Sequence, residues 1–200
     1  MTAFTDPVLD DDPSPPLGNL DVLLLDPLSE FFDVDGLQVI ERESLDDSPL
    51  PEPQRGLLVH DRDMTSTLEA FHSESIGLDV LGRRLHGESL LRHVLLHGTT
   101  SRRVVEYGAI RIQLANFPHD ARQAVLDGRM PLGSILSVYR IPYESRPRRF
   151  FSIHPDERLC NLLGLDGCEE LHGRRNLLAT PDGRTLAEVV EILPPGPASA

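Results

Sequence analysis

From residue 76 onward, several stretches of the chain alternate apolar and polar residues with the period of a β-strand. Residues 76–85 and 104–114 each place apolar side chains on one face, and residues 171–179 and 185–193 flank a Pro-Asp-Gly turn. Short turn sequences between these stretches favour antiparallel pairing. The pattern predicts an α+β fold with an antiparallel sheet and helices between the strands.

Three segments between the strands have helical spacing. They cover residues 64–72, 118–126 and about 156–163. Ser66 and Glu69 stand in capping-box spacing in the first of them, which predicts that Ser66 caps this helix.

Arg92 is the one charged residue within an apolar run, residues 90–96. If the run is a strand, Arg92 shares its face with Leu90, Val94 and Leu96. A buried arginine is costly unless an anion meets it. The anion is either a carboxylate of this chain or the carboxylate of a ligand.

Two acids in the last strand, Glu188 and Glu191, point to opposite faces of the sheet. Because only one face can be the core, one of the two is expected to be buried. A buried glutamate and Arg92 then have two interpretations, which the periodicity leaves open. They form an internal ion pair, or they stand at two ends of a dry pocket, where the arginine binds a substrate carboxylate and the glutamate handles a hydroxyl or a proton.

Charge divides the chain into two parts. The whole sequence carries −13, and residues 1–54 alone hold 14 Asp/Glu and one Arg, so the remainder is neutral. We expect an acidic, Pro-rich and partly disordered extension over residues 1–53, a domain over 54–195 and a tail over 196–200. A neutral body behind an acidic extension argues against nucleic-acid partners and anionic membranes.

The extension itself contains an apolar patch. Residues 20–41 can dock on the body as a short helix or strand, or cap the pocket, and residues 42–54 have the composition of a linker.

Other candidate chemistry is sparse. Cys160 and Cys168 match no zinc spacing and are expected to be free or buried thiols in a reducing cytoplasm, and no signal peptide is evident. We therefore expect a cytoplasmic protein. No metal or cofactor motif is present, and the pair Arg174-Arg175 is either a surface pair or a source of positive potential for the pocket.

Five short motifs in order resemble the chorismate lyase family (chorismate pyruvate-lyase, 4-hydroxybenzoate synthase), in particular its actinobacterial-type branch. They are Leu57-Leu58-Val59-His60-Asp61-Arg62-Asp63-Met64-Thr65, Leu91-Arg92-His93-Val94-Leu95-Leu96, Met130-Pro131-Leu132-Gly133-Ser134-Ile135-Leu136, His172-Gly173-Arg174-Arg175-Asn176 and Val190-Glu191-Ile192-Leu193-Pro194. The resemblance covers about residues 54–195. One departure lies after Gly108, where Ala109 replaces an arginine of other members.

The resemblance implies an α+β fold with a six-stranded antiparallel sheet, flanking helices and helical flaps over a buried ligand pocket. It also implies a lyase that converts chorismate to 4-hydroxybenzoate and pyruvate without a metal or organic cofactor, and we expect this protein to be a monomer. The resemblance further implies catalytic roles for Arg92 and Glu191, and substrate-binding roles for these two and for Met64, Leu132 and Gly133. Two alternatives remain. One is a non-catalytic small-molecule-binding module, since effector domains of some transcription regulators resemble this fold. The other is a lyase-like enzyme that acts on a related carboxylated substrate.

Overall fold

The computed structural model describes residues 24–31, 39–45, 50–167 and 169–196. Their centre is one antiparallel sheet with the strand order β1-β5-β6-β7-β4-β3-β2. The strands are β1 (Val39–Leu45), β2 (Ile76–His86), β3 (Ser89–Gly98), β4 (Val104–Gln113), β5 (Glu144–Pro155), β6 (Leu171–Ala179) and β7 (Thr185–Leu193). The predicted six-stranded antiparallel sheet is confirmed as β2–β7, and β1 adds a seventh strand beside β5.

Five α-helices flank the sheet in the described part of the chain. They are α1 (Gln54–Leu58), α2 (Met64–His72), α3 (His119–Asp127), α4 (Leu132–Val138) and α5 (Glu157–Leu162). Gly128 follows α3 in the left-handed conformation at φ 66°, as its place after the apolar repeat indicates. The predicted ranges of α2, α3 and α5 match the structure to within about one residue at each end.

The N-terminus of α2 is capped differently from the prediction. Asp63 is the N-cap residue, and its Oδ1 accepts a 2.8 Å hydrogen bond from the Ser66 backbone N–H. Glu69 does not reach back to the helix start, since its carboxylate accepts from the backbone N–H of Ile76 at 3.2 Å. The predicted capping box at Ser66 is therefore wrong, and Ser66 lies inside the first turn.

Helix α4 has no counterpart among the predicted elements. It is only seven residues long, and its buried residues Leu132, Ile135 and Leu136 have helical spacing that is too short to recognise alone. Gly133 allows α4 to approach α2, because a Cβ at this position would lie 2.4 Å from Asp63 Oδ1 and 2.8 Å from Thr65 Oγ1. The two helices thus meet at a point where α4 has no room for a side chain.

The sheet has two differently covered faces. Helices α2, α3 and α4 pack on the cavity face, which we define by the even-numbered residues Arg92, Glu106 and Ile110 and by Val189 and Glu191. The opposite face carries an apolar cluster that includes Leu91, Leu95, Tyr107, Phe151, Val190 and Ile192. Residues 24–31 and α5 cover this opposite face.

Residues 24–31 dock on the sheet, but not over the predicted pocket. Leu25, Leu28 and Phe31 are buried in the apolar cluster of the opposite face. An ionic cluster holds the same segment, since Arg111 donates to both carboxylate oxygens of Asp26 at 2.7 and 2.8 Å. This segment therefore does not cap the pocket.

Two further predictions need correction. The linker predicted over residues 42–54 begins as strand β1, which extends to Leu45, and its residues 46–49 lie outside the described part of the chain. Cys160 is buried and disulfide-bonded, so the expectation of free thiols is wrong for this residue, and Cys168 lies outside the described residues. Among the described helices, none is long and apolar enough to cross a membrane.

Candidate functional site

A cavity of about 60 Å³ lies between the cavity face of the sheet and helices α2 and α4. This volume has room for roughly four water molecules. All five residues that the sequence assigns to the site line it: Met64, Arg92, Leu132, Gly133 and Glu191. Their binding and catalytic roles stay predictions, but the fold brings them to one place.

Arg92 is the feature that distinguishes this cavity from an ordinary gap in packing. Its side chain is 2% exposed, and its Nε and Nη1 have no hydrogen-bond partner among the residues that the structure describes. Burial lowers the pKa of Arg92 to about 10, so the guanidinium remains charged at neutral pH. A buried, charged and unpartnered group is costly, and the cavity beside it offers the space for an anion.

Glu191 has a different partner from the one considered in the sequence. Its carboxylate accepts a hydrogen bond from Nε of Arg174, which lies directly across from it on β6. Arg174 is 0% exposed, so the interpretation of Arg174-Arg175 as a surface pair is wrong for Arg174. Its guanidinium also donates to the backbone carbonyls of Leu58 at 2.8 Å and His60 at 3.1 Å, which ties β6 to the segment that precedes α2.

Arg92 and Glu191 stand at opposite ends of the cavity. Arg92 pairs with Ile110, Ile110 with Val189, and Glu191 lies two residues beyond Val189 on β7. Two strand spacings across and two residues along separate their Cα atoms by about 12 Å. The described residues show no Arg92–Glu191 ion pair, since Glu191 pairs with Arg174. The lining between the two residues is mainly apolar (Val94, Leu96, Ile110, Leu178 and Val189), and its polar member Asn176 donates a hydrogen bond to Ser145.

Glu106 is a site residue that the sequence analysis did not single out. It is 4% exposed, lines the cavity, and its Oε2 has no partner in the described part of the chain. Burial, and then the negative charge of Glu191, raise the pKa of Glu106 well above its usual range. Its even-numbered position in β4, on the face of Ile110, was a signal available from the sequence.

The rim of the cavity joins α2 to the segment after α4. The Tyr143 hydroxyl donates a 2.9 Å hydrogen bond to Asp63 Oδ2, while Asp63 Oδ1 caps α2. Burial, followed by the hydrogen bond to Asp63, raises the pKa of Tyr143 to about 12. Together with the tight contact at Gly133, this bond holds α2 and α4 against each other over the cavity.

Ala109 adds no charge at the position where the resemblance would place an arginine. It is among the residues that line the cavity, and it also belongs to the apolar cluster of the opposite face. It is Gly108, its neighbour, that shows a close approach, since a Cβ there would lie 2.1 Å from the carbonyl oxygen of Val190. The strands β4 and β7 therefore depend on glycine at this register.

Comparisons with known proteins give information about the fold alone. No family model matches the chain, and no curated protein sequence matches it significantly. The crystal structure of PhnF from Mycobacterium smegmatis superimposes with a TM-score of 0.51 at 12% identity, covering 68% of this chain and 65% of that chain. The chain thus spans slightly less than two thirds of PhnF, and the likeness shows a shared fold.

Two other solved structures are more distant. The effector domain of PhnF from Mycobacterium smegmatis gives a TM-score of 0.49 at 13% identity, covering 66% of this chain and 88% of that chain. The C-terminal domain of the histidine utilization repressor from Pseudomonas syringae gives a TM-score of 0.40 at 14% identity, covering 62% and 99%.

Proposed function

We propose that this protein is a non-catalytic binding domain for a small organic carboxylate, which enters the cavity and pairs with Arg92. The observation that supports this proposal is the state of Arg92, a charged group at 2% exposure with unpartnered donors beside a cavity. The planar guanidinium presents its N–H groups in a fork that matches the two oxygens of a carboxylate. A bound carboxylate removes the cost of the isolated charge.

The size of the cavity favours a small ligand. About 60 Å³ has room for roughly four waters. Chorismate, a ring with two carboxylates and an enolpyruvyl arm, requires α2 and α4 to separate. The acid at the far end is also already engaged, since Glu191 is bound by Arg174. Both features suit ligand binding better than elimination chemistry in this arrangement.

The chorismate lyase reaction is the second candidate. It is supported by the five residues that the resemblance assigns to the site. They surround a single cavity although they come from α2, β3, α4 and β7. In that case Arg92 would hold a substrate carboxylate, Glu191 would face the hydroxyl end, and exclusion of water would favour the elimination. A cytoplasmic location and a monomeric state remain predictions under either candidate.

Titration calorimetry combined with a turnover assay separates the two candidates. Purified protein is titrated with small monocarboxylates, and in parallel it is mixed with chorismate while 4-hydroxybenzoate and pyruvate are followed. Binding without product above the spontaneous rate is expected. Product formation above that rate would establish the lyase instead, and absence of both binding and turnover would overturn both candidates.

A matched pair of variants assigns the binding to Arg92. Arg92→Met should weaken binding by about 30-fold or more, because a desolvated charge pair is lost. Arg148→Met is the control, since Arg148 is an exposed arginine outside the cavity lining. Equal affinities of the two variants would place the ligand elsewhere.

A further inference from the structure

Glu106 gives the cavity a second polar end with its own chemistry. It lies opposite Leu96 in the β3–β4 register, four residues along β4 from Ile110, which pairs with Arg92. Four residues of a strand span about 13 Å, so Glu106 and Arg92 lie far apart along the cavity. A ligand bound to Arg92 at one end thus extends toward Glu106 at the other.

The carboxyl of Glu106 lacks a counter-charge of its own. The nearest cation, Arg174, is committed to Glu191 and to the carbonyls of Leu58 and His60. An unpartnered carboxylate in such a place costs far more than an uncharged carboxylic acid, which has one O–H to donate. The raised pKa of Glu106, caused by burial and by Glu191, agrees with the uncharged form.

The charges that face this end come from four elements. They are Glu191 on β7, Arg174 on β6, Asp63 at the start of α2 and His60 before it, whose ring nitrogen lies 3.4 Å from Arg174. Asp63 is engaged by Ser66 and Tyr143. Burial and the charge of Arg174 lower the pKa of His60, which keeps its ring neutral near pH 7. Arg174 and Glu191 cancel each other, so the described residues leave no free positive charge at this end.

We propose that Glu106 is a specificity-determining residue of the cavity: as an uncharged acid it donates a hydrogen bond to an uncharged oxygen acceptor on the bound carboxylate. This inference rests on the proposed binding function and narrows the ligand class. The ligand is a monoanion, with one carboxylate at Arg92, an apolar middle, and a carbonyl or hydroxyl oxygen at the other end. A second carboxylate at that end is excluded, because it would meet Glu191 without a spare cation.

Three acids of eight heavy atoms each, half the number in chorismate, test this ligand class. They are larger than the four waters for which the cavity has room, so α2 and α4 must move apart for them as well, but less than for chorismate. They are 4-oxopentanoate, with a carbonyl acceptor, 4-methylpentanoate, without a polar far end, and succinate, with a second carboxylate. The full chain should bind 4-oxopentanoate up to about tenfold more tightly than 4-methylpentanoate, which is the contribution of one buried hydrogen bond. Succinate should bind at least about 100-fold more weakly than 4-oxopentanoate, because like charges meet in a buried place.

Two variants of Glu106 attribute the preference to this side chain. Glu106→Gln keeps an uncharged donor, so it should retain the preference for 4-oxopentanoate. Glu106→Leu should bind 4-oxopentanoate and 4-methylpentanoate equally. Circular dichroism spectra that match those of the wild type show that both variants are folded.

The pH dependence supplies a readout that a purely structural role would not give. As pH rises through the pKa of Glu106, the acid ionises, its donor is lost and the monoanion is repelled, so wild-type affinity should fall while that of Glu106→Gln stays constant. Equal binding of the two monoanions by wild type, or an unchanged preference in Glu106→Leu, would overturn the role of Glu106 alone. Failure of all three acids to bind wild type would overturn the proposed binding function as well.

Discussion

Two arginines on neighbouring central strands of the sheet, Arg92 on β3 and Arg111 on β4, have opposite environments. Arg111 lies on the opposite face of the sheet, away from the cavity, where Asp26, Glu30 and Glu188 surround it within hydrogen-bonding distance. These hydrogen bonds, that to Asp26 foremost, raise the pKa of Arg111. Arg92 faces the cavity, and burial without an anion lowers its pKa to about 10.

The difference separates a structural charge from the charge to which we assign a ligand in our proposal. The anions around Arg111 belong to this chain, and they fasten residues 24–31 to the sheet. The residues that the structure describes supply no partner to Nε and Nη1 of Arg92. A protein tolerates such a cost at a site where binding recovers it.

The largest expected effect is on stability, and it concerns Arg174, the buried arginine that pairs with Glu191. Arg174→Met should destabilise the protein by about 3–5 kcal/mol, because it leaves Glu191 buried beside Glu106 without a counter-charge. Urea denaturation followed by circular dichroism measures the loss. The double variant Arg174→Met/Glu191→Met should recover part of it, and a double variant no better than the single one would contradict the ion-pair explanation.

The next effect tests the comparison of the two arginines directly. Arg92→Met should raise the free energy of unfolding by about 1–3 kcal/mol, since it removes an uncompensated buried charge. Arg111→Met should lower it by about 2 kcal/mol, because charge-assisted hydrogen bonds to Asp26 are lost. Both are measured by the same denaturation experiment without ligand, and shifts of the same sign in the two variants would remove the distinction drawn here.

The smallest effect appears as a slope against pH. The pKa of Glu106 is raised in the folded protein above the usual value of 4.5, so the folded state binds its proton more tightly than the unfolded state. Stability is therefore lost as pH rises above about 4.5 toward the folded pKa, by at most about 1.4 kcal/mol per pH unit. Glu106→Gln has no ionisable group at this position and so does not lose stability in this way. The melting temperature of Glu106→Gln should therefore rise relative to that of wild type between pH 4 and neutrality. A constant difference across this range would show that Glu106 ionises normally.

Most elements of the fold could be predicted from local patterns in the sequence. Alternation marked β2, β4 and the β6–β7 hairpin, and helical spacing marked α2, α3 and α5. The short helix α4 was missed because seven residues give too little periodicity. Strand β1 was taken as part of a linker, because its segment is polar and its pairing with β5 depends on residues far along the chain.

The residues of the candidate site could also be predicted only in part. Arg92 was recognisable because it interrupts an apolar strand face. The same pattern left Glu188 and Glu191 as alternatives, and only the resemblance selected Glu191. The true relation of Arg92 to Glu191 required the strand order, which places β4 between β3 and β7 and β6 beside β7. Arg174 could be assigned to Glu191 only once that register was known, and Glu106 became significant only when its neighbours proved to be already paired.

The docking of residues 24–31 on the opposite face decides how the protein can be shortened. A chain that begins at residue 54, the predicted domain boundary, would lack Leu25, Leu28 and Phe31 and would expose the apolar cluster that they cover. It would also leave Arg111 without Asp26 and Glu30. Such a fragment would expose a large apolar surface next to Arg111, and we expect it to self-associate. A shortened version of the protein should therefore retain residues from position 24 onward.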